Sequence, residues 1–92
     1  MTTTLAVRHT VQDFNTWKGA FDAHEAVRRG HGATGHRVLR DGQDILVLID
    51  FDSKEQAGAF KADPSLKQAM AEAGVSSVPD ISIREETEGL RY

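Results

Sequence analysis

The chain has 92 residues and a formal net charge of −3, with 11 lysines and arginines against 14 aspartates and glutamates. A chain of this length forms one domain with a thin hydrophobic core, and a second subunit is a common way of enlarging such a core. The two signs of charge are interspersed, which argues against a nucleic-acid-binding surface. No apolar stretch approaches the roughly 20 residues that a membrane helix needs, so we expect no membrane partner.

The sequence contains no cysteine, which excludes disulfides, thiolate metal sites and a cysteine nucleophile. Its four histidines show neither the His-x-His nor the His-x-x-x-His spacing of common metal sites, and no metal is therefore expected. The first residues carry neither a basic region nor an apolar run of the kind that begins a signal peptide. We therefore expect a cytoplasmic protein.

A strand and a helix are predicted first. Residues 3–11 alternate between apolar and polar side chains, which is typical of a strand. One face of this strand carries Leu5, Val7, His9 and Val11. Asp13 is a suitable N-cap for a helix over residues 14–29, and Gly30 is the expected residue after its end. The apolar stripe of the helix is Phe14, Trp17, Phe21 and His24.

A hairpin follows, with strands over residues 34–40 and 44–51 joined by the turn signal Asp41-Gly42. The second of these strands contains five successive apolar residues, Ile45-Leu46-Val47-Leu48-Ile49. Such a strand needs apolar cover on both faces, whereas helices on one side of a sheet cover only one. The other face is therefore expected to meet a second copy of the chain.

The second half of the chain predicts a helix pair and a last strand. Ser53 and Gln56 form a capping box at the start of a short helix. The Asp63-Pro64 pair begins a further helix that Gly74 ends. Alternation over residues 78–84 predicts the last strand, and residues 85–92 form a polar tail.

This order of elements predicts a fold. The pattern βαββαβ is the split βαβ arrangement, which gives a four-stranded antiparallel sheet in the order 4-1-3-2 with helices on one face. The whole of residues 1–92 is expected to be one ferredoxin-like α+β domain. Face-to-face packing of two such sheets predicts a homodimer that closes a dimeric α+β barrel.

Several stretches resemble a known family, the dimeric α+β barrel proteins, and in particular its short cyclase-like and antibiotic-biosynthesis-monooxygenase-like members. They are Val7-Arg8-His9-Thr10-Val11, Asp13-Phe14 with Trp17, Phe21-Asp22 and His24, Gly35-His36-Arg37-Val38-Leu39-Arg40, Asp63-Pro64-Ser65-Leu66-Lys67, Ala69-Met70 and Ala73-Gly74-Val75. The resemblance implies a homodimer with a small aromatic or polyketide-like ligand between sheet and helices. Members of the superfamily include quinone-forming monooxygenases and aromatic polyketide cyclases that use no cofactor.

Under this arrangement His9 and His24 face one cavity and are the candidate catalytic residues. A neutral imidazole can take a proton from a phenol or an activated methylene and can return one to a carbonyl oxygen. The alternative for His9 is a structural histidine that bonds to the backbone or closes the edge of the core. Enzyme and non-catalytic binding or scaffolding module both remain open: a cavity of roughly 300 Å³ around these side chains favours the enzyme, and a filled core favours the module.

Candidate ligand-binding residues are more widely spread. Trp17 and Phe21 could stack on a flat ligand, or they could simply fill the core. His36 and its neighbour Arg37 lie on opposite faces of the second strand, so only one of them can face a given cavity.

Arg8 on the first strand and Arg84 on the fourth point away from the helices. They could bind an anion or a ligand carbonyl within the barrel, or they could form a polar dimer seam with Asp50 as a charge partner.

Overall fold

A computed structural model describes residues 2–92 and contains four strands and four helices within that range. In chain order the elements are β1 (Thr3–Thr10), α1 (Phe14–Ala23), α2 (Glu25–Gly30), β2 (Gly35–Asp41), β3 (Asp44–Phe51), α3 (Lys54–Lys61), α4 (Pro64–Glu72) and β4 (Asp80–Glu85). All strand pairs are antiparallel, in the order β2-β3-β1-β4. Read from the other edge, this is the predicted 4-1-3-2 order, and the ferredoxin-like α+β fold is confirmed.

The predicted caps begin three of the helices. The Asp13 side chain accepts a hydrogen bond from the backbone of Thr16 at the start of α1. Ser53 accepts from the backbone of Gln56 at the start of α3, and Asp63 accepts from Ser65 at the start of α4, where Pro64 takes the first helical position. Each bond satisfies a backbone N–H that has no partner within its helix, which is why these short local patterns place the helix starts well.

The prediction of one helix over residues 14–29 is wrong, because the helix breaks at His24. This residue has φ −88° and ψ 1°, and its ring nitrogen Nε2 lies 3.1 Å from the hydroxyl of Ser65 on α4. The break therefore coincides with a contact to a distant element. The end is also later than predicted: Gly30 is the last residue of α2, and the left-handed backbone occurs at Gly32, with φ 93°.

The last strand begins at Asp80 rather than at residue 78. Pro79 has no backbone N–H to donate to a sheet, and the pairing of β4 with β1 begins directly after it, at Asp80. Val78 before it is 92% exposed. The chain is held here by Ser76 and Ser77 instead, which bond to the backbone of Thr10.

The core lies between the helices and one face of the sheet. That face carries Leu5 and Val7 of β1 and the buried residues Ile45, Val47, Ile49 and Phe51 of β3. On the helix side, α3 contributes Ala57 and Phe60 to the core, and it contacts β1, β3 and β4. On the opposite, open face no helix of the described chain packs, and Leu46 and Leu48 remain half-buried there. No helix within residues 2–92 is both long and apolar enough to cross a membrane.

Candidate functional site

A cavity of about 50 Å³ lies between the sheet and the helices. Its walls are almost entirely apolar, with side chains from β1, β3, α1, α2, α3 and α4. The lining includes His9, Trp17, Phe21, His24, Arg28 and Met70. The structure thus brings four of the predicted site residues together around one space and adds Arg28, which the sequence did not single out.

His9 is the most unusual of these side chains. It points from β1 toward the helices because it shares a sheet face with Leu5 and Val7, and it is 4% exposed. Neither ring nitrogen has a hydrogen-bond partner among the described residues. Burial lowers the pKa of His9 from its ordinary 6.5, although the charge of Asp44 acts in the opposite direction. His9 is therefore held as a neutral imidazole with a free acceptor nitrogen.

A stack of aromatic rings forms one wall of the cavity. The ring centroids of Trp17 and Phe21 are 5.0 Å apart in a stacked arrangement, and His9 meets Trp17 edge-on at 5.8 Å. Trp17 is 3% exposed and belongs to the core, whereas Phe21 is only half-buried. Trp17 therefore fills the core and lines the cavity at once, with its ring next to the candidate base.

His24 and a second imidazole connect the α1–α2 break to the start of α4. His24 bonds to the Ser65 hydroxyl at 3.1 Å, and His31 bonds to the Asp63 carboxylate at 2.7 Å. Burial and the nearby charge of Arg28 lower the pKa of His24. The bond from His31 and those from Ser65 lower the pKa of Asp63 to about 2. One ring nitrogen of His24 is thus already engaged, whereas both nitrogens of His9 are free.

Arg28 on α2 is the functional candidate that the sequence prediction missed. It is 2% exposed, its Nη1 donates to the backbone oxygen of Phe21 at 2.7 Å, and its Nη2 has no partner among residues 2–92. The guanidinium lies over the Phe21 ring, 3.7 Å from its centroid. The sequence pattern could have identified Arg28. Position 28 continues the helical spacing of Trp17, Phe21 and His24, so a charged residue falls on the apolar stripe of the predicted helix.

His36 lies outside the cavity, on the helix side of β2, and its Cα partner is Ile49. It is exposed, and its ring meets Phe21 edge-on at 5.0 Å. A cleft of about 490 Å³ separates β2 from α2 here, and its lining includes Arg28, Thr34, His36 and Ile49. His36 is thus the residue of the second strand that faces the helices, and Arg37 faces the open side.

Arg8 and Arg84 lie on the open face of the sheet, as predicted, and do not reach the cavity. The guanidinium of Arg8 makes two hydrogen bonds to Asp44, at 2.9 and 3.3 Å. The suggested partner Asp50 instead accepts a bond from the hydroxyl of Thr4 at 2.9 Å. Within the single chain Arg8 thus reaches Asp44, its diagonal neighbour on β3, and the polar dimer seam with Asp50 stays a prediction.

No group of three histidine, aspartate or glutamate side chains within the described part of the chain is arranged to hold a metal ion. The polar groups that converge on the cavity are imidazoles and a guanidinium. Their chemistry is proton transfer and anion binding.

Several solved structures superpose on this chain over most of its length. The chain matches no protein-family model and no curated protein sequence. SnoaB from Streptomyces nogalater, a cofactor-independent oxygenase, superposes with a TM-score of 0.78 at 15% identity, over 99% of this chain and 98% of that one. A protein from Caulobacter crescentus, provisionally named an antibiotic biosynthesis monooxygenase, gives 0.74 at 16% identity, over 95% and 91%.

These solved structures share the ferredoxin-like fold of this chain, and several of them are named antibiotic biosynthesis monooxygenases. A protein of unknown function from Nitrosomonas europaea has it too, with a TM-score of 0.75 at 18% identity over 99% of this chain and 94% of that one. The resemblance read from the sequence is confirmed at this level. Identities this low show a shared fold and carry no activity from one protein to another.

Proposed function

We propose that the protein is a small-molecule-binding α+β barrel protein that acts without a cofactor on a flat aromatic or polyketide-like substrate, as a monooxygenase or a cyclase. Its reacting site is the cavity between the sheet and the helices. The observation that carries the proposal is His9, a neutral imidazole with two unpartnered nitrogens inside an apolar cavity. A group in that state is suited to accept a proton from a bound carbon or oxygen acid.

The environment of His9 supports a base rather than a structural histidine. A buried polar group without a partner costs about 1–3 kcal/mol, and structural histidines avoid that cost by bonding to the backbone or to a carboxylate. Apolar walls also keep water from competing for the imidazole. Costs of this kind concentrate at functional sites in proteins.

An oxygenase reaction at this site needs dioxygen as its only co-reactant. His9 takes a proton from an activated methylene, and the resulting carbanion transfers its electrons to dioxygen and forms a C–O bond. The protonated His9 returns its proton to the peroxide, which then loses water as the second C–H proton leaves, and a quinone carbonyl remains. In a cyclase reaction the same carbanion adds to a carbonyl of the substrate itself, a C–C bond replaces the carbonyl π bond, and the protonated His9 gives its proton to the resulting alkoxide.

One observation favours the alternative of a non-catalytic binding module. The cavity holds about 50 Å³, less than the roughly 300 Å³ of common ligand pockets. A flat substrate therefore enters only if a wall moves, and the half-buried Phe21 between the cavity and the open cleft is the side chain placed to do so. A wall that does not move leaves the cavity as a packing defect.

The test uses 1,8-dihydroxyanthrone, whose central methylene is acidic and whose oxidation product is a quinone. We expect the protein to accelerate both oxygen uptake and quinone absorbance over the spontaneous reaction. His9→Asn, which removes the base, is expected to lower this rate by about 10²-fold or more. Lys61→Asn, an exposed position on α3, serves as the matched control.

Equal rates for His9→Asn and the unsubstituted protein would remove His9 as the base. An unsubstituted protein that binds the anthrone and leaves its oxidation rate unchanged would support the non-catalytic module instead. Binding is followed separately from turnover by working under nitrogen.

We further propose that the open sheet face pairs with a second copy of the chain. Leu46 and Leu48 of β3 lie half-buried there, and Leu39 of β2 is 44% exposed. The charged pair Arg8 and Asp44 flanks this apolar centre. An apolar centre with a polar rim is the usual anatomy of a protein interface.

A further inference from the structure

The inner end of the cleft between α2 and β2 is formed by a buried cation, Arg28. Its side chain is almost completely buried, and only one of its terminal nitrogens, Nη1, has a partner, the carbonyl oxygen of Phe21. The second, Nη2, has none among residues 2–92. A guanidinium stays charged in proteins, and a buried charge normally has an anionic partner. Arg28 thus lacks the group that its chemistry calls for.

The nearby carboxylates do not supply that partner. Glu25 lies in an ion pair with Arg29 at 3.6 Å, and Asp22 in one with Lys18 at 2.5 Å. Both carboxylates influence Arg28 through space only, and no salt bridge joins Arg28 to an acidic group within the described chain. What lies against the guanidinium instead is the face of Phe21, a weaker partner than a carboxylate.

Arg28 also stands where two spaces meet. The apolar cavity and the cleft of about 490 Å³ are both lined by Arg28 and Ile49. The cleft is polar and exposed at Thr34 and His36, whereas the cavity is lined almost entirely by apolar side chains. A molecule that spans both spaces therefore places its ring inside and its polar end beside the guanidinium.

We propose that Arg28 is an anion-binding residue, whose free Nη2 holds a carboxylate or phenolate oxygen of a flat aromatic ligand that enters through the cleft. This inference rests on the proposed function, since it places the ligand in the same cavity. It narrows the substrate class to aromatic compounds with an anionic oxygen at one end. The Phe21 ring gives up its contact with Arg28 as the ligand enters, and this both opens the wall and frees the cation.

Two probes of similar shape, 2-naphthoate and 2-naphthamide, distinguish the contribution of the negative charge to binding from that of the aromatic ring. Binding is followed by nitrogen-15 NMR at the indole N–H of Trp17, the only tryptophan of the chain, and at the Nε–H of Arg28. We expect 2-naphthoate to bind about tenfold more tightly or better, because a hydrogen bond to a charged group is stronger than a neutral one. Only 2-naphthoate is expected to shift the Arg28 resonance strongly.

Substitutions show which residue causes the preference for 2-naphthoate over 2-naphthamide. Arg28→Gln is expected to abolish it, and Lys67→Gln, which removes an exposed cation on α4 outside the cavity and the cleft, is expected to keep it. His9→Asn is expected to keep it as well, because the anion lies at the other end of the ligand. The comparison of the two probes on the unsubstituted protein decides the matter even if Arg28→Gln does not fold.

Equal affinity for the two probes in the unsubstituted protein would overturn the role of Arg28 while leaving a ligand cavity. A preference that survives in Arg28→Gln would overturn it too. If neither probe shifts the Trp17 indole, this inference fails, and the turnover of the anthrone decides the proposed function separately. A preference for 2-naphthoate without any turnover of the anthrone would leave the anion site standing and remove only the catalytic role of His9.

Discussion

His9 lines the cavity together with Val7, Trp17 and Val47, and its two ring nitrogens have no hydrogen-bond partner among the described residues, so it contributes an unpaired donor and acceptor to a largely apolar space. Its neutral form is preferred in the folded protein, because burial disfavours the imidazolium. In the unfolded chain no such preference exists. The folded protein thus binds fewer protons than the unfolded chain at mildly acidic pH.

This difference predicts the pH dependence of stability. The pKa values of His9 and His24 are both lowered from 6.5, so the free energy of unfolding is expected to fall as the pH drops below about 6.5. Asp63 affects stability in a more acidic range. Its pKa is lowered from 3.8 to about 2, so its contribution to the free energy of unfolding is lost only as the pH falls below about 3.8. Urea titrations between about pH 7.5 and pH 5 measure the slope.

The variant His9→Leu tests the same residue without a ligand. We expect it to unfold no more easily than the unsubstituted protein at neutral pH, and to be more stable by up to about 1 kcal/mol, since it removes two unsatisfied polar atoms. Its stability should also fall less between neutral and mildly acidic pH. A loss of about 2 kcal/mol or more on this substitution would mean that the imidazole has a structural role.

At the residue scale, the periodicity of the sequence was enough to predict four of the residues that line the cavity. His9, Trp17, Phe21 and His24 share the cavity because strand alternation and helix spacing are local properties that survive in the fold. Arg28 lies near the end of the predicted helix, where a positive charge is favourable, so its charge alone did not single it out. Its position on the apolar stripe was the stronger signal, because charge on a buried face is rare.

Among the elements, the break between α1 and α2 could not be predicted from local sequence. The stripe of the first helix continues across His24 without interruption, and the deviation coincides with a bond from His24 to Ser65 that joins residues 41 positions apart. Helix caps, by contrast, depend on atoms within three residues of one another, so Asp13, Ser53 and Asp63 were predicted correctly.

The chain leaves α2 through Gly32, and this leads to a prediction. A Cβ atom at Gly32 would lie 2.5 Å from the Gln56 side chain, on a backbone with φ +93°. Gly32→Ala is therefore expected to lower the free energy of unfolding by about 1–3 kcal/mol, measured by urea titration. The matched control is Gly30→Ala, where no atom lies within 4 Å and the helical backbone suits alanine.

If Gly32→Ala and Gly30→Ala were equally mild, the left-handed conformation at Gly32 would not be required by the fold. If Gly30→Ala were the more harmful of the two, the helix would end where the sequence alone suggested. The contrast between two glycines separated by one residue thus tests the end of α2 directly.

For the whole molecule, the dominant feature is that β3 is apolar on both faces. Ile45, Val47 and Ile49 are buried under the helices. On the open face Leu48 has Ala6 of β1 and Arg37 of β2 as its cross-strand neighbours. The bounds of β3 agree with the prediction because the apolar run lies between a turn signal and a helix cap. The volume of the cavity was not predictable, since it depends on how side chains from six elements meet.

The proposed pairing of open faces has a direct test. Light scattering at micromolar concentration is expected to give twice the mass of one chain. Leu48→Lys, which places a charge at the centre of the open face, is expected to shift the protein toward the monomer. Ala59→Lys on the exposed side of α3 is the matched control and should leave the mass unchanged. A monomeric unsubstituted protein would contradict the pairing.

Trp17 gives the molecule an optical property of its own. It is the single tryptophan of the chain, and its indole touches the edge of His9 and the face of Phe21. All of the tryptophan fluorescence therefore originates at the cavity. Any change in the charge of the imidazole or in the position of the phenyl ring alters the quenching of that emission, so the protein reports on the state of its own site without a label.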